Sequence, residues 1–229
     1  MSVTSRLASF SSTEISDSLV KLGVASGGCI AGLNFSVNLS PGNISKICAP
    51  AYTVKMVLAS DTSAPKLSEH FVDTAPAGSV IVIDVPHQAQ NAVWGGLMSA
   101  GAIARSAVGV VVSGRCRDLS ELRSLGLPVF ARGHSTLGQQ PFTRPSAINI
   151  PLVIAPPSTA SDYIFPSVTI QPGDWIIADE DGVVCVPKAM EEQVAEQAQL
   201  GTSIDAQCLA DIQAGKGIKA TFAKYRGTK

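Results

Sequence analysis

A layered α/β sandwich around a mixed sheet is predicted by three features of the sequence. These are short apolar runs, helix-forming segments set between them, and a late turn joining two further runs. Ser79–Val85 and Val108–Ser113 are almost wholly apolar, as parallel strands covered on both faces are. Between them, Gly95–Ala107 carries Leu97, Met98, Ala102, Ile103 and Ala104, which completes a strand–helix–strand unit. Trp175–Ala178 and Gly182–Val186 flank Asp179-Glu180-Asp181-Gly182, whose Asp-Gly step signals a hairpin. Parallel units beside an antiparallel hairpin imply helices on more than one face of the sheet.

The remaining elements follow in order. Ile15, Leu19 and Leu22 recur at helical spacing after Ser11-Ser12-Thr13, and Gly23 stands where that helix stops. Gly27–Gly32 reads as loop and Ile47–Leu58 as a strand. Leu119–Leu125 reads as a helix that ends at Gly126 and feeds a parallel strand, Leu127–Ala131. Thr136–Ser161 is rich in Pro, Ser and Thr, which suggests irregular or edge-strand structure. Pro187 closes the hairpin, Lys188–Leu200 has a helical period, and a further amphipathic stretch occupies Ile204–Ile212. There is no internal repeat. The expected organisation is an N-terminal extension (1–14), one main domain (15–200) and a C-terminal helical extension (201–229).

Composition narrows the function. With 45% hydrophobic but only 5% aromatic residues, the core must be built chiefly from Val, Ile, Leu and Ala. The net charge is −1, from 17 basic and 18 acidic residues that are interspersed, so no basic stripe addresses nucleic acid and no polybasic run addresses a membrane. The apolar runs fall far short of the roughly 20 residues of a membrane helix. The five cysteines include no C-x-x-C pair, which suits reduced thiols in a cytoplasmic protein. Met1–Thr13 is Ser-rich with one Arg, but lacks the basic amphipathic pattern of a transit peptide.

The segments that carry chemistry are Val93-Trp94-Gly95-Gly96-Leu97-Met98 and Gly114-Arg115-Cys116-Arg117-Asp118-Leu119-Ser120-Glu121. The first lies at an expected helix N-terminus, where free N–H groups favour an anion and glycines let it approach. The second follows the C-terminal end of a parallel strand, the edge where ligand sites form. Twenty residues separate Gly96 from Arg117-Asp118, and Glu121 follows after two more. This G-x20-R-D-x2-E pattern resembles the motif of the RraA-like proteins, a group that includes 4-hydroxy-4-methyl-2-oxoglutarate aldolases, oxaloacetate decarboxylases and the regulator of ribonuclease activity A. Further blocks share the resemblance, including Ala49-Pro50-Ala51-Tyr52-Thr53-Val54, Leu127-Pro128-Val129-Phe130-Ala131-Arg132-Gly133 and Pro172-Gly173-Asp174, over about Ile15 to Leu200.

The resemblance implies an α/β/β/α sandwich of the swivelling phosphohistidine-domain type and a pyruvate-forming lyase. On it, the backbone of Gly95, Gly96, Leu97 and Met98 would hold a carboxylate, and Arg117 would hold the keto or enolate oxygen. Asp118 would anchor a divalent metal, Mg²⁺ or Mn²⁺, that is otherwise water-ligated. It also implies a homotrimer or hexamer, small 2-oxo acids as substrates, and as alternative a non-catalytic regulator that binds a ribonuclease. A quinone-pathway methyltransferase is disfavoured, because no G-x-G-x-x-G follows a first strand. The chain departs from many aldolases of the group at Gly96, where they carry an acid. Glu121 is the candidate replacement: on a helix it would share a face with Asp118, about 5–6 Å apart at Cβ. A selective aldol gain on installing Gly96→Asp would show that proton acceptance limits this variant of the motif.

Other residues read as structural. His70, His87 and His134 have no metal-site spacing. Cys116 beside Arg117 reads as a small filler, Asp179, Glu180 and Asp181 as a solvated turn, and Trp94 as either a pocket wall or packing.

Overall fold

The computed structural model describes residues 5–33, 35–37, 46–157 and 165–227. The strands are β1 (Phe35–Val37), β2 (Ile47–Leu58), β3 (Val80–Asp84), β4 (Ala92–Trp94), β5 (Gly109–Cys116), β6 (Val129–His134), β7 (Thr143–Ile148), β8 (Leu152–Ile154), β9 (Val168–Ile170), β10 (Trp175–Asp179) and β11 (Gly182–Val186). The helices are α1 (Ser12–Lys21), α2 (Gly96–Ala104), α3 (Leu119–Leu125), α4 (Glu191–Gln213) and α5 (Ile218–Tyr225).

The long strand β2 organises the molecule because its two halves serve different sheets. Ile47–Pro50 pairs antiparallel with β10, whereas Ala51–Lys55 pairs parallel with β3. The sheet continues from β3 through β5 and β6 in parallel, with β1 antiparallel at the edge and β4 parallel beside β5. Alternation along each strand then sorts side chains into layers. Ile81, Ile83, Val110, Val112, Val129 and Ala131 pack with Ala102 of α2 and Leu122 of α3. Val80, Val82, Val111 and Phe130 point the other way and meet Ile176, Ala178, Val183 and Cys185 of the β10–β11 hairpin, with β8 and β9. The outer face of that hairpin, Trp175, Ile177, Val184 and Val186, is covered by Ile15 and Leu19 of α1 and Val194, Ala195 and Ala198 of α4. Helices, sheet, sheet, helices is the α/β/β/α order expected.

Local chemistry explains the element ends. Ser11 caps α1 in a reciprocal box with Glu14, and Gly126 ends α3 in the left-handed conformation with φ 77°. β10 and β11 pair from Trp175↔Val186 to Asp179↔Gly182, so Glu180 and Asp181 form the turn. The expected solvated acids need one correction. Asp179 is buried and accepts the Ser12 N–H at 2.7 Å, the Ser12 hydroxyl at 2.6 Å and the Asp181 N–H at 3.1 Å, so it fastens α1 to the hairpin.

Thr136–Ser161 contains two edge strands, as expected, β7 antiparallel to β2 and β8 paired with β9, and its last residues, 158–161, lie outside those described. Two elements add to the expectation. The two C-terminal amphipathic stretches are one continuous helix, α4, which runs through residue 200. At the N-terminus, a single 3₁₀ turn (Arg6–Ser9) precedes α1 and buries Leu7. Among the described residues, no helix is long and apolar enough to cross a membrane.

Candidate active site

The end of β5 builds the site. Its register with β6 shifts between Val112 and Arg115, and the strand runs on to Cys116. Cys116 is fully buried beside the Gly133 carbonyl, and burial pushes its thiol up to about 11, which fits the filler role. Arg117 then leaves the strand with its N–H donated to the Trp94 carbonyl at 2.9 Å. Asp118 follows in the left-handed region, φ 58° and ψ 43°, a conformation that Asp and Asn tolerate better than most residues. The turn sends its carboxylate back to the β4–α2 junction. Oδ2 accepts the Gly96 N–H at 3.2 Å and stands 3.4 Å from Arg117 Nε.

This geometry replaces the shared helix face expected for Asp118 and Glu121. Asp118 precedes α3 as its N-cap residue without capping it, while Glu121 lies within the first turn. The two acids meet instead at α2. A Cβ on Gly95 would stand 2.4 Å from Asp118 Oδ2, and one on Gly96 would stand 1.8 Å from Glu121 Oε2. Gly95 has φ −160°, which any residue adopts, so the requirement is for space. The glycine pair is the surface on which both carboxylates rest.

The first intrahelical bond of α2 runs from the Ser99 N–H to the Gly95 carbonyl, so the N–H groups of Gly96, Leu97 and Met98 precede it. Asp118 uses that of Gly96. Those of Leu97 and Met98 remain at the positive end of the helix, beside a cavity of about 440 Å³. Gly95, Leu97, Met98, Arg117, Asp118 and Glu121 all line it, and Gly96 abuts Glu121. The candidates named from the sequence therefore converge. Trp94 does both things considered for it: it lines the cavity yet is 1% exposed, with Nε1 donating to Ser99 Oγ at 2.8 Å and its ring tilted against Phe71.

Two neighbours escaped the sequence reading. Gln139 lines the cavity, and a Cβ on Gly138 would stand 2.9 Å from Arg117 Nη1, so the guanidinium lies against this loop. The loop is tied to β4 by the Ala92 N–H, which donates to the Leu137 carbonyl at 2.9 Å. Its only sequence signal was a glycine in an irregular segment. Among the described residues, no group of three His, Cys, Asp or Glu could cage a metal.

Comparison with known proteins identifies the family. Residues 12–185 match the family model RraA-like, described as Aldolase/RraA. Protein DlpA of Legionella pneumophila is 32% identical over 193 residues, 84% of this chain, which spans only 28% of that longer protein. A Halalkalibacterium halodurans protein named "Putative 4-hydroxy-4-methyl-2-oxoglutarate aldolase" is 30% identical over 167 residues, 72% of each chain. The crystal structure of an uncharacterized Pseudomonas syringae pv. tomato protein superposes with a TM-score of 0.73 at 26% identity, over 94% of each chain. Streptomyces coelicolor RraAS2, described as an unusual member of the RNase ES inhibitor RraA protein family, shares the fold with a TM-score of 0.68 at 23% identity, over 91% of this chain and 93% of its own. From Ser12 to Cys185, through both sheets and the Arg117-Asp118 turn, this chain belongs to the RraA-like family.

Proposed function

We propose that this protein is a divalent-metal-dependent lyase, working as a homotrimer or hexamer, that breaks a carbon–carbon bond in small 2-oxo acids. Oxaloacetate would lose carbon dioxide, and 4-hydroxy-4-methyl-2-oxoglutarate would give two pyruvates, through the same pyruvate enolate. The observation that carries this reading is the convergence of Arg117, Asp118 and Glu121 on the N-terminus of α2 around one cavity.

Each group has work suited to its place. The Leu97 and Met98 N–H groups would bind the carboxylate next to the ketone, helped by the helix dipole. The Arg117 guanidinium would face the keto oxygen, where negative charge develops as the bond breaks. In the aldol substrate the C3–C4 bond breaks, its electron pair passes to C3 and the keto oxygen, and C4 becomes a carbonyl. The hydroxyl proton on C4 must leave, and the Glu121 carboxylate is the acceptor at hand. Decarboxylation makes no such demand, and in both reactions C3 of the enolate then takes a proton from solvent to become the pyruvate methyl group.

Asp118 fits a hard cation. A partly exposed carboxylate at this cavity, where among the described residues no three His, Cys, Asp or Glu come together, suits an ion that keeps most of its waters, as Mg²⁺ or Mn²⁺ does. Such an ion supplies Lewis-acid polarisation of the 2-oxo acid.

The test is pyruvate release from oxaloacetate after chelation and on titration with Mg²⁺ or Mn²⁺. We expect metal-dependent turnover that falls on the order of 10²–10³-fold in Arg117→Ala. Near-normal turnover in that variant would remove Arg117 from the chemistry. The ribonuclease-binding alternative draws on Leu97, which is 83% exposed at the cavity rim, and would be favoured by no metal-dependent turnover in the wild type.

A further inference from the structure

A second set of charges lies on the other face of the same sheet. Alternation puts Lys55 of β2, Asp84 of β3, Ser113 of β5 and Arg132 of β6 on the face that sends Val82, Val111 and Phe130 into the inter-sheet core. Lys55 and Asp84 are register partners, and one residue earlier Ile83 pairs with Val112 and Val112 with Ala131. The four side chains therefore form a row across four adjacent strands, at the C-terminal edge of the parallel sheet. Arg117, Asp118 and Glu121 belong to the α2–α3 side.

The charges in this row do not cancel. Asp84 is buried, its Oδ2 pairs with Lys55, and its Oδ1 accepts the Ser113 hydroxyl at 3.1 Å. One cation thus meets one carboxylate. Arg132 is the surplus: its Nη2 donates to the Ala155 carbonyl, its buried Nε–H has no acceptor, and it joins no salt bridge among the described residues. Burial weakens its hold on its proton, and Asp84 only partly offsets this. Arg132 is half-buried, and a buried guanidinium N–H left without an acceptor is costly unless an oxygen arrives to take it.

A cavity of about 190 Å³ opens here, lined by Lys55, Asp84, His87, Arg132, Val153 and Ala155 among others. That space takes a small ion with a few waters, each water filling about 30 Å³. We propose that this cavity is a second ligand site, separate from the candidate active site, which binds one small oxyanion, a phosphate or the carboxylate of a small acid, through Arg132 and Lys55. Arg132 supplies the fork that such oxygens fit, and Lys55 a mobile positive charge.

Calorimetric titration of the full chain tests this, with inorganic phosphate in one arm and pyruvate in the other, each on wild type, Arg117→Ala and Arg132→Gln. In at least one arm we expect saturable binding at about millimolar Kd or tighter. It should survive Arg117→Ala within about twofold and weaken about tenfold or more in Arg132→Gln. The arm that saturates in Arg117→Ala names the ligand class. Binding lost in Arg117→Ala but kept in Arg132→Gln, or no saturable binding of either anion, overturns the proposal. Should Arg132→Gln fail to fold, methyl spectra of the wild type decide. Phosphate or pyruvate must shift Val153 and Ala155, and shifts confined to Leu97 and Met98 overturn it.

Discussion

Gly96 and Glu121 compete for one volume. A Cβ on residue 96 would lie 1.8 Å from Glu121 Oε2 and 3.0 Å from Glu121 Cβ, so an acid at 96 must evict the acid at 121. Gly96→Asp alone therefore exchanges one carboxylate for another under strain. Glu121→Gln keeps the shape but takes no proton, and we expect it to lower aldol turnover by about 10²-fold and oxaloacetate decarboxylation by less. The double variant Gly96→Asp/Glu121→Ala should recover part of the aldol rate, whereas Gly96→Asp alone should not. Steady-state rates on both substrates, with thermal midpoints to check folding, decide the matter. A parallel fall of both activities in Glu121→Gln would make Glu121 a support for the enolate or metal instead.

At the scale of elements, the docking of α1 on the β10–β11 hairpin depends on Asp179. Its removal leaves the Ser12 N–H and a buried hydroxyl without an acceptor. We expect Asp179→Ala to cost about 2–3 kcal/mol in urea unfolding, and Glu180→Ala, one residue along the exposed turn, less than about 0.5 kcal/mol. Equal costs would mean that the apolar face of α1 suffices. Asp179 also marks the limit of what the sequence made legible, because a turn acid that bonds a helix 167 positions away looks like a solvated one. β3 and β5 were readable because parallel strands buried on both faces leave unbroken apolar runs. The three-residue strands β4, β8 and β9 were not, being too short to show a period. In the site, Gly95 to Met98 and Arg117 to Glu121 stood out as a spaced motif. The left-handed turn of Asp118 and the approach of Gly138 and Gln139 come from long-range packing that no local pattern encodes.

Across the whole molecule, three apolar cores are joined by one strand, and the cysteines report on them. Cys116 lies in the core under α2 and α3, and Cys185 in the core between the sheets. Cys208, on the C-terminal half of α4, is 3% exposed but belongs to none of the three. Burial raises the thiols of Cys116, to about 11, and of Cys185, and since the thiolate is the reactive form, both should resist alkylation in the native state near neutral pH. β2 pairs with β10 through its first half and β3 through its second, so neither sheet opens without tearing the strand they share. Cys116 and Cys185 should therefore become reactive together as urea rises, with opening free energies equal to within about 1 kcal/mol. Cys208 should react earlier, because its half of α4 lies beyond Ala198, the last α4 residue in the core against the hairpin. Site-resolved alkylation read by mass spectrometry separates the outcomes. If Cys185 reacts well before Cys116, the hairpin sheet opens by itself and β2 does not couple the layers. If Cys208 waits for both, α4 is one cooperative unit with the sandwich, and the division of the chain near residue 200 has no thermodynamic meaning.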